Sequence, residues 1–341
     1  MKVLSDYSLK ELREVLREYP SFRAKQIFDA IMQAKDYDEI AIPKNMIAQL
    51  KKDYILKPIE IYKILHSKDG TKKYLLKLYD DNLVECVFLS QHYGNTICMS
   101  TQVGCRMGCK FCASTANGLI RNLTAGEMIS TIALINADNG KRTERNFSNI
   151  VLMGSGEPFD NFDNVVKWLH LITDESGFNV SERNVSLSTC GLVDKIYEFS
   201  KLKFNITLCI SLHATTDEER KKIMPIANRY SINEIIDAVK AYSDENKRRV
   251  VFEYCLIKGV NDSKQDIDRL ASLTKGLLCH VNVICLNPNG GPLQATTKKF
   301  AYSFVSELNK RGVSATLRRS QGEDIEGACG MLRAKTIREK S

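Results

Sequence analysis

The sequence of 341 residues has no stretch that approaches the ~18 consecutive apolar residues of a membrane span. Its first twenty residues, MKVLSDYSLKELREVLREYP, lack the apolar core of a secretory signal peptide. Internal repeats, low-complexity tracts and long linkers are also missing, which argues against a repeat architecture or a disordered chain. We therefore expect a cytoplasmic globular protein with no membrane partner. Its length predicts about two domains, or one barrel-sized domain with an appendage.

Eleven cysteines are present, and a reducing cytoplasm argues against a framework of disulfides. The cysteines must therefore bind metal, take part in catalysis or be buried. Cys209, Cys255 and Cys285 lie within apolar, strand-like runs, so we expect them to be buried as small hydrophobic side chains.

The net charge is +8, and basic residues are spread along the chain as pairs. These pairs are Lys51-Lys52, Lys72-Lys73, Lys221-Lys222, Arg248-Arg249, Lys298-Lys299 and Arg318-Arg319. Such a balance favours a polyanionic partner, because phosphate contacts dominate affinity for nucleic acids. Scattered charge equally describes a solvated surface, so composition alone leaves both interpretations open.

The apolar pattern divides the chain into three regions. Residues 1–55 are predicted to form a helical accessory domain, in which Ser8 and Glu11 have the spacing of a capping box. Residues 56–93 alternate apolar and polar residues around two turn sequences, which predicts a small antiparallel sheet. Residues 94–341 alternate apolar strands with helices, which predicts an α/β fold with a parallel sheet covered on its outer face.

Seven strand candidates occur in this third region: NTICMST, NIVLMG, NVSLST, NITLCISLH, RVVFEYCLI, HVNVICLN and VSATLRR. Six or seven strand–helix units favour a partial (β/α)6-type barrel over a doubly wound sheet. Functional residues of such barrels lie in the loops that follow the strands. Cys105–Cys112 follow the first candidate, and GSGEP, STCG, SLHA and NPN follow later ones, so we expect the site there.

Cys105, Cys109 and Cys112 form a C-x3-C-x2-C array with no fourth cysteine close behind it. Three thiolates can hold three irons of a [4Fe–4S] cube and leave the fourth iron open for a ligand that is not protein. An open position is typical of catalytic metal sites, whereas structural sites are closed. The alternative is a zinc site completed by Cys98 or His92, although the short spacing does not favour it.

Several motifs resemble, in order, the RlmN/Cfr family of radical S-adenosylmethionine (SAM) RNA adenine methyltransferases. They are CMSTQVGCRMGCKFCAS, RNLTAGEM, MGSGEPFDN, RNVSLSTCG, ISLHA with MPI, and GEDIEGACGML. The resemblance implies a radical SAM barrel, one [4Fe–4S] cluster bound by the three cysteines, and SAM bound at its open iron. It also implies that the SAM site is lined by Gly156, Glu157, Ser188, Ser211, Leu212, His213 and Asn287.

The resemblance further implies roles for three residues that bind neither the cluster nor SAM. Cys329 would take a methyl group from one SAM, and a radical derived from a second SAM would activate that methyl for addition to adenine. Cys98 would resolve the resulting adduct, leaving a disulfide with Cys329 that an outside reductant reopens. Glu85 would accept the proton from the ring carbon, which requires it to reach hydrogen-bond distance.

Two branches of the family differ in the carbon that they methylate. FCASTANGL and GEPFDN resemble the RlmN branch, which methylates carbon 2 of an adenosine in the peptidyl-transferase region of 23S rRNA and an adenosine beside the anticodon in some tRNAs. The alternative is methylation of carbon 8 of the same rRNA adenosine, which confers antibiotic resistance in the Cfr branch. The resemblance also implies RNA contact by the N-terminal domain, a monomer, and an electron donor such as flavodoxin or ferredoxin.

Overall fold

The computed structural model describes residues 2–287, 291–325 and 330–340. The N-terminal region contains two short strands, β1 and β2, which pair in parallel, and three helices. The elements are β1 (Lys2–Val3), α1 (Leu9–Val15), α2 (Phe22–Met32), α3 (Lys44–Asp53) and β2 (Tyr54–Ile55). Ser8 caps α1 as predicted, because its hydroxyl accepts the Glu11 N–H while the Glu11 carboxylate accepts the Ser8 N–H.

Three antiparallel strands follow, and they are β3 (Ile59–His66), β4 (Lys72–Leu78) and β5 (Leu83–Leu89). Side chains alternate along β5. Val84, Cys86 and Phe88 face the main hydrophobic core, so Glu85 and Val87 face the opposite side of the sheet. This alternation places Glu85 on the same face as the barrel interior.

Seven parallel strands continue the same sheet, and their order along the sheet is their order along the chain. They are β6 (Thr96–Met99), β9 (Asn149–Leu152), β10 (Val185–Thr189), β11 (Thr207–Ser211), β12 (Val250–Leu256), β13 (Cys279–Cys285) and β14 (Ala315–Leu317). Two further strands, β7 (Gln102–Gly104) and β8 (Leu119–Asn122), form a separate antiparallel pair after β6. The strand order is that of a partial barrel, as predicted.

The antiparallel and parallel parts are one ten-stranded sheet, because β5 pairs with β6. The division of the chain at residues 55 and 93 into domains stays a prediction. The sheet joins residues 56–93 directly to the barrel.

Helices follow the barrel strands and cover the outer face of the barrel. They are α4 (Ala125–Asp138), α5 (Phe162–Thr173), α6 (Val193–Ser200), α7 (Asp217–Ile223), α8 (Ile232–Asn246), α9 (Lys264–Thr274) and α10 (Lys298–Lys310). A last helix, α11 (Met331–Lys340), follows β14 and lies against β5. Trp168 of α5 and Tyr242 of α8 are fully buried with strand residues such as Phe252 in one continuous core. None of the helices in the described ranges has the length and apolar character of a membrane span.

Candidate active site

The three clustered cysteines lie on one loop between β7 and β8. The loop follows the first barrel strand, β6, as predicted, and the short strand β7 lies between them. Backbone bonds fix the loop: the Cys105 N–H donates to the Gly118 carbonyl at 2.9 Å, and the Lys110 N–H donates to the Ile223 carbonyl at 2.9 Å. The cysteines are therefore held on a fixed turn at the mouth of the barrel.

The thiols of this loop lie in low-dielectric surroundings. Cys105 and Cys109 are buried, and burial raises the pKa of Cys105 to about 12 and the pKa of Cys109 further. Such thiols stay neutral unless a cation stabilises their thiolate form, which a bound metal does. The donor set is therefore suited to metal binding.

Arg220 supplies a buried positive charge beside this loop. Its Nη2 donates to the Cys190 carbonyl at 2.7 Å and its Nε donates to the Leu212 carbonyl at 3.1 Å. Nη1 is buried and has no hydrogen-bond partner among the described residues. The charge of Arg220 acts on Cys109 and Cys190, so an anionic group bound by the thiols would meet a compensating cation. An iron–sulfur cube held by three thiolates is such a group.

A cavity of 260 Å³ opens next to the cysteine loop. Nine predicted site residues line it: Cys105, Cys109, Cys112, Gly156, Glu157, Ser188, Ser211, His213 and Asn287. Among the described residues, no three His, Cys, Asp or Glu side chains converge closely enough for a single metal ion. A cube has a different requirement, since each thiolate binds its own iron.

The turn after β9 brings Gly154, Gly156 and Glu157 to the cavity wall. A Cβ on Gly154 would lie 2.6 Å from the backbone of Met99, so only glycine fits against the end of β6. The buried Glu157 carboxylate accepts the N–H of Cys190 at 2.7 Å and that of Phe159 at 3.0 Å. Burial nevertheless raises the pKa of Glu157 above its usual value. This glutamate ties the loops after β9 and β10 together.

His213 belongs to the wall of the cavity, whereas Leu212 is fully buried in the main core. The His213 Nδ1 accepts the Cys255 N–H at 2.9 Å, and its ring contacts Phe111 of the cysteine loop edge-on. Burial and the nearby Arg220 charge lower the pKa of His213 to about 3. The imidazole is therefore neutral at physiological pH and carries its proton on Nε2.

The floor of the cavity contains an unpredicted carboxylate, Glu253 of β12. Ser188 donates to Glu253 Oε2 at 3.3 Å, and the Ser188 hydroxyl lies 3.5 Å from that of Ser211. Arg318 Nη1 lies 3.5 Å from Glu253 Oε1. Three strands therefore contribute hydroxyl and charged groups to one polar patch, which is suited to binding a polar, charged small molecule.

A second cavity, of 970 Å³, adjoins the first. The two share Met153, Ile284, Cys285, Asn287, Arg318 and Met331 as lining residues. Cys98 and His92 line only the second cavity, so the zinc alternative, which needs one of them beside the three cysteines, is not supported.

Cys209 and Cys255 are buried as predicted, whereas the prediction was wrong for Cys285, which is partly exposed and lines both cavities.

Glu85 is buried on the inner face of β5 and lines neither of these two cavities. Its Oε2 accepts the Gly330 N–H at 2.7 Å, its Oε1 accepts the Arg333 N–H at 2.6 Å, and Lys73 Nζ lies 3.2 Å away. Cys329 lies outside the described residues. The roles predicted for Glu85 and Cys329 stay predictions.

Comparisons with known proteins agree with this geometry. The model of the radical SAM superfamily matches residues 99–271. A protein of Clostridium perfringens named "Probable dual-specificity RNA methyltransferase RlmN" is 49% identical over all of this chain and 99% of its own length. A protein of the same name from Clostridium botulinum is 47% identical over 99% of this chain and 98% of its own length. The chain belongs to the RlmN family of radical SAM methyltransferases.

A solved structure extends the agreement to the whole fold. The crystal structure of a radical SAM methyltransferase from Sphaerobacter thermophilus matches with a TM-score of 0.92 and 40% identity, covering 98% of this chain and all of that chain. Radical SAM proteins use a [4Fe–4S] cluster and SAM, and the donor set and cavity described above fit both. For the RlmN family member described here, the accessory helices, antiparallel strands and barrel thus belong to one shared architecture.

Three buried charged residues that contact predicted site residues of this RlmN family member were missed from the sequence: Glu253, Arg220 and Lys73. Glu253 is the single charged residue in the apolar strand VVFEYCL, and this is an available signal, since burial of a charge requires a partner. Lys73 is one of three lysines in KKYLLKL, so the strand sequence did not single it out. Arg220 gave no comparable signal, because it lies in the charged helix DEERKKI.

Proposed function

We propose that the protein methylates carbon 2 of an adenosine in the peptidyl-transferase region of 23S rRNA and of an adenosine beside the anticodon in some tRNAs, through a methylated Cys329. The proposal is supported by the names of the relatives, which describe dual-specificity RNA methyltransferases. It is further supported by the sequence motifs, which resemble the carbon-2 branch of the family.

The first cavity is the cofactor chamber in this proposal. Cys105, Cys109 and Cys112 would hold the cluster, which with SAM supplies the methyl group and the radical. Gly156 lets the turn after β9 pack against Gln102, whose Cβ would lie 2.7 Å from a Cβ at this position, and Ser188 and Ser211 present hydroxyls to the cofactor from adjacent strands. His213, being neutral, offers a hydrogen-bond donor at Nε2 without adding charge.

The second cavity is the RNA entrance in this proposal. Arg183, Arg318 and Arg319 line it and would contact phosphates, while Tyr93, which is 66% exposed at its edge, offers a ring for stacking an unpaired base. Cys98 lines its wall. An adenosine that enters this cavity is therefore brought beside the cysteine proposed to resolve the adduct.

The observation that carries the proposal is the shared wall between the two cavities. Six residues line both cavities, so a reactive group formed in the cofactor chamber would lie next to the RNA entrance, which contains Cys98. An RNA base in the RNA entrance could therefore react with a group in the cofactor chamber while the cofactor stays bound.

The test is anaerobic reconstitution followed by incubation with SAM, a reductant and an rRNA fragment, with nucleoside analysis by mass spectrometry. We expect 2-methyladenosine. Formation of 8-methyladenosine would contradict the carbon assignment, and the absence of any methylated adenosine would contradict the substrate. Cys329→Ala is the control that should abolish product while leaving the cluster in place.

Further parts of the proposal follow from the resemblance and await their own tests. These are the consumption of two SAM molecules for each methylation, the disulfide between Cys98 and Cys329, a flavodoxin or ferredoxin as electron donor, a monomeric state and a cytoplasmic location.

A further inference from the structure

The first turn of α11 is held against β5 by hydrogen bonds to the buried carboxylate of Glu85, which also pairs with Lys73. Glu85 accepts hydrogen bonds from the N–H groups of Gly330 and Arg333, which lie at the start of the helix. A carboxylate at this position also interacts favourably with the positive end of the helix dipole. Lys73 Nζ, with no exposed surface, lies 3.2 Å from the same carboxylate.

Both oxygens of Glu85 are engaged by this turn. Oε1 bonds to the Arg333 N–H, and Oε2 bonds to the Gly330 N–H and faces Lys73. Glu85 lines neither the cofactor chamber nor the RNA entrance, whereas Met331 of the same turn lines both cavities. The geometry therefore connects Glu85 to the chambers through α11 rather than directly.

Side-chain packing completes the attachment of this helix. Leu332 packs with Leu75 and Leu83 in a separate small apolar cluster, and the Arg333 Nε donates to the Leu83 carbonyl at 2.8 Å. On the opposite side, a Cβ on Gly330 would lie only 2.7 Å from the backbone nitrogen of Ser114, just beyond the cysteine loop. The first turn of α11 is thus fixed between β5 and the cluster-binding loop.

We propose that Glu85 and Lys73 form a buried anchor that fixes the first turn of α11, and that Glu85 is thereby a positioning residue for Cys329, which precedes Gly330 in the chain. The part that concerns Cys329 rests on the proposed function. The anchor itself does not depend on it, because it is defined by contacts among described residues.

The proposal separates two steps of the reaction. Transfer of the first methyl group would join the Cys329 sulfur to the methyl carbon of SAM, break the bond from that carbon to the sulfonium sulfur, and release S-adenosylhomocysteine together with the proton of the thiol. This step needs a positioned Cys329 but no base that acts on RNA. A defect at Glu85 should therefore reduce methylation of Cys329, whereas a residue that only accepts a proton from adenine should leave that methylation intact.

The experiment compares Glu85→Gln with the wild type by hydrogen exchange of residues 330–336 and by peptide mass spectrometry of Cys329. Loss of one acceptor should accelerate exchange in this turn by roughly ten- to a hundred-fold. The fraction of methylated Cys329 should fall in parallel. Because Glu85→Gln removes the carboxylate that faces the buried Lys73, the double variant Lys73→Met/Glu85→Gln is measured as well, and it should show the same two changes with neither member of the ion pair present.

Glu127→Gln is the matched control, since Glu127 is also buried, also accepts a helix-start N–H (that of Thr124, at 2.9 Å) and also pairs with a cation. This variant should leave exchange at 330–336 and methylation of Cys329 unchanged. Unaltered exchange at 330–336 in both Glu85 variants would overturn the anchor. Faster exchange with full methylation of Cys329 would overturn the positioning role. If the wild type acquires no methyl on Cys329, the proposed function fails while the exchange comparison still decides the anchor.

Discussion

The pKa of His213 offers a quantitative test of the cavity wall. Folding lowers this pKa from about 6.5 to about 3, because the ring is buried and lies near the Arg220 charge. Below pH 6.5 the unfolded chain binds a proton that the folded protein does not, so the free energy of unfolding falls as pH falls from 6.5 towards 3. Between pH 7.5 and 5.0 this single group should reduce the free energy of unfolding by about 2 kcal/mol.

His213→Asn removes the titration with little disturbance of the backbone. Asparagine tolerates the left-handed backbone of this position, where φ is 56°, and its side-chain oxygen can accept the Cys255 N–H. We expect the variant to be less stable at pH 7.5, because it loses the contact with Phe111, but to lose about 2 kcal/mol less on acidification than the wild type.

Two measurements check this prediction. Urea unfolding at pH 7.5 and 5.0 compares the two proteins, and NMR of ¹³C-labelled histidine follows the ring directly. The chain has five histidines, so the resonance missing from His213→Asn identifies His213. It should stay in its neutral form down to about pH 4. A His213 resonance that titrates near pH 6.5, or equal acid sensitivity of the two proteins, would refute the reasoning.

Three further predictions address the chambers. Gly154→Ala should lower the free energy of unfolding by about 1–3 kcal/mol, because the added Cβ would overlap the Met99 backbone. The control Gly177→Ala should not, because a Cβ at that position makes contacts of ordinary length. Equal urea unfolding midpoints for the two variants would contradict this prediction. Glu253→Gln should weaken SAM binding about tenfold through the loss of a charge-assisted contact, as measured by equilibrium dialysis, and an unchanged affinity would remove Glu253 from the cofactor site. Cys98→Ala should accumulate a covalent RNA–protein adduct on a denaturing gel; an adduct from Cys329→Ala instead would show that the two roles are reversed.

The barrel could be predicted from the sequence because its strands are nearly continuous apolar runs that alternate with helices, which is the pattern of a parallel sheet covered by helices. The β7–β8 hairpin could not, since QVG and LIRN are too short and too polar to show a strand pattern. The pairing of β5 with β6 could not be predicted either, because the sequence of an edge strand does not show which other strand it pairs with.

The site was predictable to a similar degree. Loops that follow parallel strands meet at one edge, so most of the predicted residues gathered there. The environment of Glu85 was not predictable, because its partners Gly330 and Arg333 lie 245 and 248 residues away along the chain. Leu212 illustrates a different limit: it lies between two cavity-lining residues, Ser211 and His213, yet its own side chain faces the core.

The most direct test of the account is the electron paramagnetic resonance spectrum of the reduced, anaerobically reconstituted protein with and without SAM. We predict about four irons in each chain, a [4Fe–4S]⁺ signal that changes when SAM is added, and loss of that signal when Cys105, Cys109 and Cys112 are replaced by alanine. A protein that binds stoichiometric zinc, or a cluster whose spectrum does not respond to SAM, would contradict the account.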